Sequence, residues 1–342
     1  MVNIGVIGCG YWGQNLVRTF SQMKGVRLMA VAELDEKRIA YLNEYYPNVT
    51  VYRSHRELLA EPKIDAVVVA TPASDHYAVG MEALKAGKHL FVEKPLTLKS
   101  LEAEEMTKLA EERGRILMVG HTFEYNPAVR KIKDYIKGGD LGEVYYVYSQ
   151  RLNLGQVRRD VNVFWNLAPH DISIVLCWLE EEPESVSAKG VTVLQKGIED
   201  VVFLHMKFPS GRSAHIHTSW LDPNKIRKMT VVGSKKMVVY DDTSTDARVQ
   251  IFDKGVDRKN LGQNLGEYDD FGKFQLIQRA GDLLIPKVDA TEPLRIECAH
   301  FVESVSSGKR PQTDGANGLR VVKILEAGQA SLGKGGVEVA IR

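Results

Sequence analysis

Gly8-Cys9-Gly10-Tyr11-Trp12-Gly13 joins an apolar, β-branched run over residues 2–8 to a helical pattern over residues 14–23. In such a Gly-x-Gly-x-x-Gly stretch the first glycine permits a tight turn and the second lets the backbone approach a pyrophosphate. The third lets the helix pack closely on the strand. The N–H groups at the start of the helix are then available to phosphates. In this strand–helix context the stretch predicts a dinucleotide-binding unit and not an ordinary glycine turn.

Strand-like and helical segments alternate from this stretch to about residue 120. The apolar runs cover residues 26–33, 64–70, 89–92 and 116–120, and the helical segments cover residues 35–45, 77–86 and 100–113. Such alternation indicates a parallel, doubly wound α/β sheet. We therefore predict a Rossmann domain over residues 1–122.

The pattern changes after about residue 125. Strand-like runs cover residues 144–154, 186–194, 201–208, 213–221, 229–232 and 237–240, and helices are predicted only over 168–179, 296–305 and 319–331. This indicates an α+β domain over residues 123–342 with an antiparallel or mixed sheet, whose last helix is expected to pack back on the first domain. Residues 243–292, which are charged and weakly periodic, are expected to pack on a partner subunit.

Composition excludes several classes of function. The chain has 342 residues, with 45 Lys and Arg against 44 Asp and Glu, so no basic excess points to nucleic acid. The start lacks a signal peptide, and no apolar run approaches the ~18 residues of a membrane span. Three scattered cysteines (Cys9, Cys177, Cys298) and the pair His215 and His217 offer no metal cage. We expect a cytoplasmic protein without metal, membrane or nucleic-acid partner.

An acidic residue, Glu33, ends the second predicted strand 20 residues after Gly13. A carboxylate at this position accepts hydrogen bonds from ribose hydroxyls and repels a 2′-phosphate. Asp35 adds negative charge nearby, whereas Lys37 and Arg38 offset it. The predicted cofactor is therefore NAD, favoured over NADP, and a solvated strand end is the alternative interpretation of Glu33.

The tripeptide Glu93-Lys94-Pro95 follows a buried strand, at the edge of the sheet that faces the ligand crevice. A lysine there can hold a substrate hydroxyl and favour the alkoxide that develops as hydride leaves. Composition alone favours a surface lysine in a loop. The sequence does not decide whether Pro95 is cis.

A second cluster is Asn166-Leu167-Ala168-Pro169-His170-Asp171. Pro169 suits the first turn of a helix, and Asn166 and His170 would share one helix face. His170 can act as a general base for a hydroxyl, whereas Asn166 can only orient the substrate or the imidazole. A capping or packed histidine is the alternative interpretation.

These motifs occur together in an order that resembles the glucose-fructose oxidoreductase/inositol dehydrogenase/rhizopine-catabolism (Gfo/Idh/MocA) family over nearly the whole chain. The resemblance implies a Rossmann domain, a second domain with a large open sheet, and a homodimer or homotetramer formed through that sheet. It implies catalytic roles for Lys94 and His170, with Asn166 beside them. The cofactor residues that it implies are Gly8, Gly10, Tyr11, Trp12, Gly13, Glu33, Thr71, Pro72, His76, Glu93 and Lys94.

Asn166 is a departure, because many members have an aspartate there that orients the histidine ring. Members that oxidise C3 of a UDP-N-acetylated sugar resemble this chain at Asn166, at Gly120-His121 and at Tyr125-Asn126-Pro127. This implies NAD-dependent oxidation of such a small-molecule substrate. A dehydrogenase of a free sugar or cyclitol and a non-catalytic NAD-binding sensor stay open.

Six residues are expected to contact the substrate, and two of them are arginines that could bind a diphosphate through paired hydrogen bonds. The alternative interpretation of these arginines is that they lie in a solvated loop. The set is Lys94, Tyr125, Arg151, Arg158, Asn166 and His170.

Overall fold

The structure is a computed structural model that describes residues 1–155, 157–256 and 278–341. The chain divides into two compact units, Met1–Tyr125 with Thr291–Glu326 and Asn126–Ala290 with Ala327–Arg342. Of the charged segment 243–292, residues 257–277 lie outside the described residues. In the ranges that are described, no helix is both long and apolar enough to cross a membrane.

The first unit is built on six strands. These are β1 (Val2–Ile7), β2 (Val26–Ala32), β3 (Thr50–Tyr52), β4 (Ala66–Val69), β5 (His89–Glu93) and β6 (Leu117–Gly120). The sheet has the order β3-β2-β1-β4-β5-β6, and every neighbouring pair is parallel. The predicted doubly wound Rossmann sheet is confirmed.

Five helices of this unit alternate with the sheet strands in the sequence, and a further one comes much later in the chain. They are α1 (Gly13–Ser21), α2 (Glu36–Tyr45), α3 (His55–Leu59), α4 (His76–Lys85), α5 (Ser100–Glu112) and α8 (Pro293–Ser307). β4 is buried at all four positions, as expected of a continuous apolar strand that is covered on both faces. β3 and α3 were not predicted, because elements this short carry too few residues for a period to be visible.

The second unit contains a nine-stranded sheet and helices. The elements are α6 (Pro127–Lys137), β7 (Val144–Leu154), α7 (Val163–Leu179), β8 (Ser185–Val191), β9 (Val201–Lys207), β10 (Ser213–Ser219), β11 (Leu221–Gly233), β12 (Met237–Asp241), β13 (Val249–Val256), β14 (Gln278–Leu284) and β15 (Val339–Ala340); α9 (Gly315–Gly333) begins in the first unit. The order is β14-β13-β12-β11-β7-β10-β9-β8-β15. Because β7 pairs with β10 in parallel and with β11 antiparallel, the sheet is mixed, which is one of the two arrangements predicted.

Two helix predictions in this unit were wrong. α6 was not predicted, although Asn126 accepts a hydrogen bond from the Ala128 N–H at 2.9 Å and thereby caps it. α7 begins at Val163 and not at residue 168, because the Asn162 side chain accepts from the Trp165 N–H at 3.1 Å. Pro169 therefore lies inside the helix and not in its first turn, where its missing N–H interrupts the backbone hydrogen bonding.

A buried ion pair ties α7 to the sheet. Arg151 on β7 donates from Nε to Asp171 Oδ2 at 2.7 Å and from Nη2 to Oδ1 at 3.1 Å. Ser149 Oγ donates to the same Oδ1 at 2.9 Å. Arg151 is 6% exposed and Asp171 is 1% exposed, so both charges depend on these contacts.

The glycine loop also constrains packing, because α1 approaches β1 very closely. A Cβ at Gly13 would lie 2.2 Å from the Gly8 carbonyl oxygen, a distance that no real contact shows. A Cβ at Gly10 would meet only the Arg38 guanidinium, with Nη1 at 3.6 Å. The two glycines of one loop therefore differ in what they contribute to the fold.

We predict that Gly13→Ala lowers the free energy of unfolding by roughly 1–3 kcal/mol, as overpacking of a close contact does. Gly10→Ala is the matched control and should change it much less. Urea unfolding followed by circular dichroism measures both. Equal losses in the two variants would show that the Gly8–Gly13 contact is not what limits packing here.

A second stability prediction concerns the buried ion pair. Arg151→Met should cost about 3–5 kcal/mol, because it leaves Asp171 charged and buried without its partner. Arg158→Met removes a bidentate pair with Asp160 that is exposed on the surface, and should cost at most about 1 kcal/mol. Urea unfolding measures the free energy of unfolding of both variants. A similarly small decrease in both would contradict the structural role of Arg151.

Candidate functional site

The first group of predicted site residues surrounds the glycine loop. Glu33, at the end of β2, accepts hydrogen bonds from the Cys9 N–H at 2.7 Å, the Leu34 N–H at 2.7 Å and the Asp35 N–H at 3.0 Å. Arg38 Nη1 lies 3.7 Å from its Oε2. The carboxylate therefore holds the glycine loop to the end of the second strand, beside the position where a ribose binds in this fold.

The geometry of this loop fits a dinucleotide. Gly8 has a φ of +91°, which a glycine adopts without strain, and a Cβ there would lie 2.9 Å from the Ala70 carbonyl oxygen. The space beside Gly10 is open except for Arg38, so its backbone is approachable. Tyr11 and Trp12 are exposed beside it. The start of α1 thus offers backbone N–H groups to an anion.

His76 connects the turns that follow β4 and β5. Its Nδ1 lies 2.8 Å from the Pro95 carbonyl oxygen, and its Nε2 lies 3.0 Å from the Thr71 carbonyl oxygen. Burial lowers the pKa of His76 although both carbonyls favour the charged ring. A neutral imidazole has one N–H, so it donates to one of the two at a time. His76 therefore holds the Thr71–Pro72 turn against the turn that carries Lys94.

Thr71 also has a buried hydroxyl Oγ1 that makes no hydrogen bond within the described residues. Buried polar atoms in folded proteins are almost always paired. This hydroxyl is therefore a suitable donor or acceptor for a cofactor bound at the ends of these strands.

Glu93 joins the glycine loop to Lys94. Its Oε1 accepts from the Trp12 indole Nε1–H at 2.6 Å, and its Oε2 accepts from the Lys94 backbone N–H at 3.3 Å. All three carboxyl atoms lie 3.0 Å from the position of a Cβ on Gly120, so only glycine fits there comfortably. The Lys94–Pro95 peptide bond is cis. The glycine loop, Glu93 and Lys94 thus form one connected cluster.

Burial shapes the electrostatics of this cluster. It raises the pKa of Glu93 to about 7, against the opposing effects of the Lys94 charge and the Trp12 hydrogen bond. Burial, with the charge of Glu33, also raises the pKa of the Cys9 thiol to about 11. Cys9 is therefore a neutral packed thiol at physiological pH, whereas Glu93 is poised to titrate.

In the second unit, Asn166 and His170 lie on α7 as predicted, one turn apart. Within this helix, all of which is described, every position is buried except Asn166, Leu167 and His170. Residues three and four apart share a helix face, so these positions form the accessible part of α7. Asp171, the residue after His170, holds the helix through the ion pair with Arg151.

The other predicted substrate residues have different surroundings. Tyr125 is fully buried in the core, and its hydroxyl lies 3.0 Å from His300 Nδ1 and 3.1 Å from Thr313 Oγ1. Arg151 is bound to Asp171, whereas Arg158 is on the surface with Asp160. The first two side chains are thus engaged inside the protein, and substrate binding by these residues stays a prediction.

Glu297 is a buried acid that sequence reasoning missed. Glu297 on α8 is 0% exposed, and its Oε2 accepts from Thr122 Oγ1 at 2.6 Å. Burial and the charge of Glu93 raise its pKa well above the usual value. The signal that could have found it is an acidic residue at a position of α8 where Leu294, Cys298 and Phe301 form a buried apolar stripe.

His121 was noticed only as part of a motif. Its ring is 0% exposed, and neither nitrogen has a hydrogen-bond partner among the described residues. Burial and the charge of Lys94 lower its pKa to about 3, so the ring is neutral. The same ranges of the chain contain no group of three His, Cys, Asp or Glu side chains that could hold a metal ion.

Comparisons with known proteins agree with this architecture. Residues 2–121 match the sequence profile described as the oxidoreductase family with an NAD-binding Rossmann fold. Residues 129–239 match the profile of the GFO/IDH/MocA C-terminal domain. Both halves of the chain are therefore recognised independently.

Individual relatives have different names. The chain is 30% identical to the UDP-N-acetylglucosamine 3-dehydrogenase of Acidithiobacillus ferrooxidans over 69% of this chain and 73% of that protein. It is 28% identical to the scyllo-inositol 2-dehydrogenase (NAD(+)) of Bacillus subtilis over 91% and 88%. The solved structure of the Acidithiobacillus ferrooxidans enzyme GnnA shares the fold, with a TM-score of 0.81 at 24% identity over 97% and 98% of the two chains.

These similarities do not single out one substrate group, because two relatives with different substrates in their names are about equally similar. They agree on the fold and on an oxidoreductase family with an NAD-binding Rossmann fold. The chain belongs to the Gfo/Idh/MocA family of oxidoreductases, with an NAD-binding Rossmann fold.

Proposed function

We propose that this protein is an NAD-dependent dehydrogenase that oxidises a ring hydroxyl of a sugar to a ketone, with C3 of a UDP-N-acetylated sugar as the substrate. The observation that carries the proposal is the position of Glu93, which bonds both to Trp12 of the glycine loop and to the backbone of Lys94. A candidate catalytic lysine is thereby held at a set position relative to the cofactor loop.

The chemistry assigned to each residue follows from its type. The Lys94 ammonium donates to the substrate oxygen and stabilises the negative charge that develops there during oxidation. His170 is the proposed acceptor of the hydroxyl proton, and Asn166, one turn earlier on α7, orients the reacting groups. Bound NAD supplies the acceptor of the hydride.

NAD is proposed in preference to NADP. The Glu33 carboxylate directly follows β2 and is held in place by three backbone hydrogen bonds. A fixed negative charge at this position repels a 2′-phosphate. Arg38, 3.7 Å away, reduces that repulsion in part.

The UDP-sugar substrate is supported by Asn166 and by the similarity to a UDP-N-acetylglucosamine 3-dehydrogenase. A free sugar or cyclitol is the second candidate. It is favoured by the burial of Arg151 against Asp171, which leaves fewer arginines for a diphosphate, and by the similarity to an inositol dehydrogenase.

We also propose a homo-oligomer formed through the sheet of the second unit. Tyr146, Tyr148 and Phe203 are exposed on strands of that sheet. The register of β7, β10 and β9 places them on one face. Exposed aromatic side chains on one sheet face are typical of a protein–protein contact.

The substrate prediction is tested by following NADH formation with UDP-N-acetylglucosamine, its uronic acid, glucose and myo-inositol. We expect turnover on a UDP-sugar. An α-keto acid added in parallel detects cofactor that is retained and recycled. Turnover on glucose or myo-inositol alone would refute the UDP-sugar substrate and leave the dehydrogenase function intact.

The role of Lys94 is tested by Lys94→Ala, which should lower kcat by about 10²–10⁴-fold. The variant loses the ammonium group that donates a hydrogen bond to the substrate oxygen and stabilises its negative charge. NAD affinity, measured by calorimetry, should fall much less than kcat. Lys99→Ala is the matched control, since Lys99 is an exposed lysine paired with Glu102 at 3.0 Å. Undiminished turnover in Lys94→Ala would contradict the assignment, and a wild-type protein that binds NAD without any turnover would favour a sensor.

A further inference from the structure

In this fold a cofactor binds at the edge where the carboxyl ends of the parallel strands lie, here called the cofactor edge. In the first unit the strand order divides this edge into two halves. β2 and β3 lie on one side of β1, and β4, β5 and β6 lie on the other. A dinucleotide crosses the sheet at this switch point, and its adenosine ribose belongs beside the acidic end of β2. Glu33 marks that half. The nicotinamide half of the cofactor therefore belongs over the ends of β4, β5 and β6.

Glu93 ends β5 in this second half and is 7% exposed. Its carboxyl group is enclosed by the Trp12 indole, the Lys94 backbone and the bare Cα of Gly120. A carboxyl group that is buried beside a possible ligand site responds strongly to any charge placed near it, because solvent screens that charge poorly.

Several other charged or titratable groups surround this carboxyl. Lys94 contributes a positive charge that favours its ionised form. Burial and the charge of Glu93 raise the pKa of Glu297 on α8 well above its usual value. The Cys298 thiol on α8 lies near both Glu93 and Glu297, His76 and His121 lie near Lys94, and Glu124 lies near Glu297.

With its pKa raised to about 7, the Glu93 carboxyl changes its charge close to neutral pH. The pKa of Glu297 is raised well above its usual value, and burial lowers the pKa of His76 and of His121. A charge that arrives with a ligand would therefore act first on Glu93.

We propose that Glu93 is a proton-linked residue of the nicotinamide half of the site, which releases its proton to solvent when oxidised NAD binds and keeps more of it when NADH binds. The O–H bond of the Glu93 carboxylic acid breaks, the carboxylate remains between Trp12 and Lys94, and the proton passes to the buffer. The oxidised nicotinamide ring is a cation and the reduced ring is neutral. Only the oxidised ring adds a positive charge that stabilises the carboxylate.

The experiment is calorimetry of NAD and NADH binding to the whole protein in buffers of different ionisation enthalpy, which counts the protons released. Because the pKa of Glu93 is about 7, NAD should release about half a proton per chain at about pH 7, and more at about pH 6. NADH should release clearly less. The two ligands share adenine, riboses and pyrophosphate, so the difference isolates the nicotinamide charge.

The affinity for NAD should also depend on pH and should increase as the pH rises. Below the pKa of free Glu93, NAD binding must expel a proton, so its Kd should fall about tenfold between about pH 6 and about pH 8. The Kd of NADH should vary much less. Equal proton release by the two ligands, or an NAD affinity that does not depend on pH, overturns the proposal.

Three variants assign the proton. Glu93→Gln should abolish the difference between NAD and NADH, whereas Glu297→Gln, which keeps a neutral side chain that can accept from Thr122, should retain it. Trp12→Phe removes a hydrogen bond that lowers the pKa of Glu93, so the release should move to higher pH. If Glu93→Gln does not fold, the pH shift in Trp12→Phe shows whether Glu93 is the residue that releases the proton. Proton release that survives in Glu93→Gln overturns the assignment.

The inference depends on cofactor binding and not on the proposed sugar oxidation. A protein that binds NAD and oxidises none of the tested sugars would still show the proton release. Conversely, a sugar dehydrogenase without NAD-specific proton release would refute this inference and leave the proposed function standing.

Discussion

The interaction on which the cofactor edge depends is the pair of hydrogen bonds that the Glu93 carboxyl accepts from Trp12 and from the Lys94 backbone. A buried carboxyl group costs free energy unless its oxygens are paired. Pairing it here joins residues that are 81 positions apart in the chain. It also requires glycine at position 120, because any Cβ would crowd the carboxyl group. One polar contact thus sets the relative positions of the glycine loop, the lysine turn and the end of β6.

The neighbouring loops follow the same physical rule. Glu33 satisfies the Cys9 N–H and holds the glycine loop, and His76 lies between the carbonyl oxygens of Thr71 and Pro95. From the sequence motifs alone, each of these side chains is predicted only to contact a ligand. In the structure each also restrains a loop, so a ligand would meet an edge that is already ordered.

The second unit uses a buried ion pair for the same purpose. Arg151 and Asp171 are costly to bury, and they are retained with three hydrogen bonds on the aspartate. The pair anchors α7 next to His170, and it engages an arginine that the sequence suggested for a diphosphate. Relatives whose names give different substrates match this chain over most of its length, so the fold alone does not specify a substrate.

The sequence by itself determined the parallel Rossmann sheet, a second sheet that is antiparallel or mixed, the glycine loop, the turn that carries Lys94 and the helix that carries His170. These features depend on contiguous residues, through strand and helix periods and the conformational freedom of glycine. It did not reveal α6 or the start of α7, which depend on single capping side chains, Asn126 and Asn162. Only the tertiary structure decided the partners of Arg151, Tyr125 and Glu297. Glu297 meets Thr122 across 175 residues, and contacts between such distant positions leave no local pattern, because they are selected by packing and by the need to pair buried polar groups.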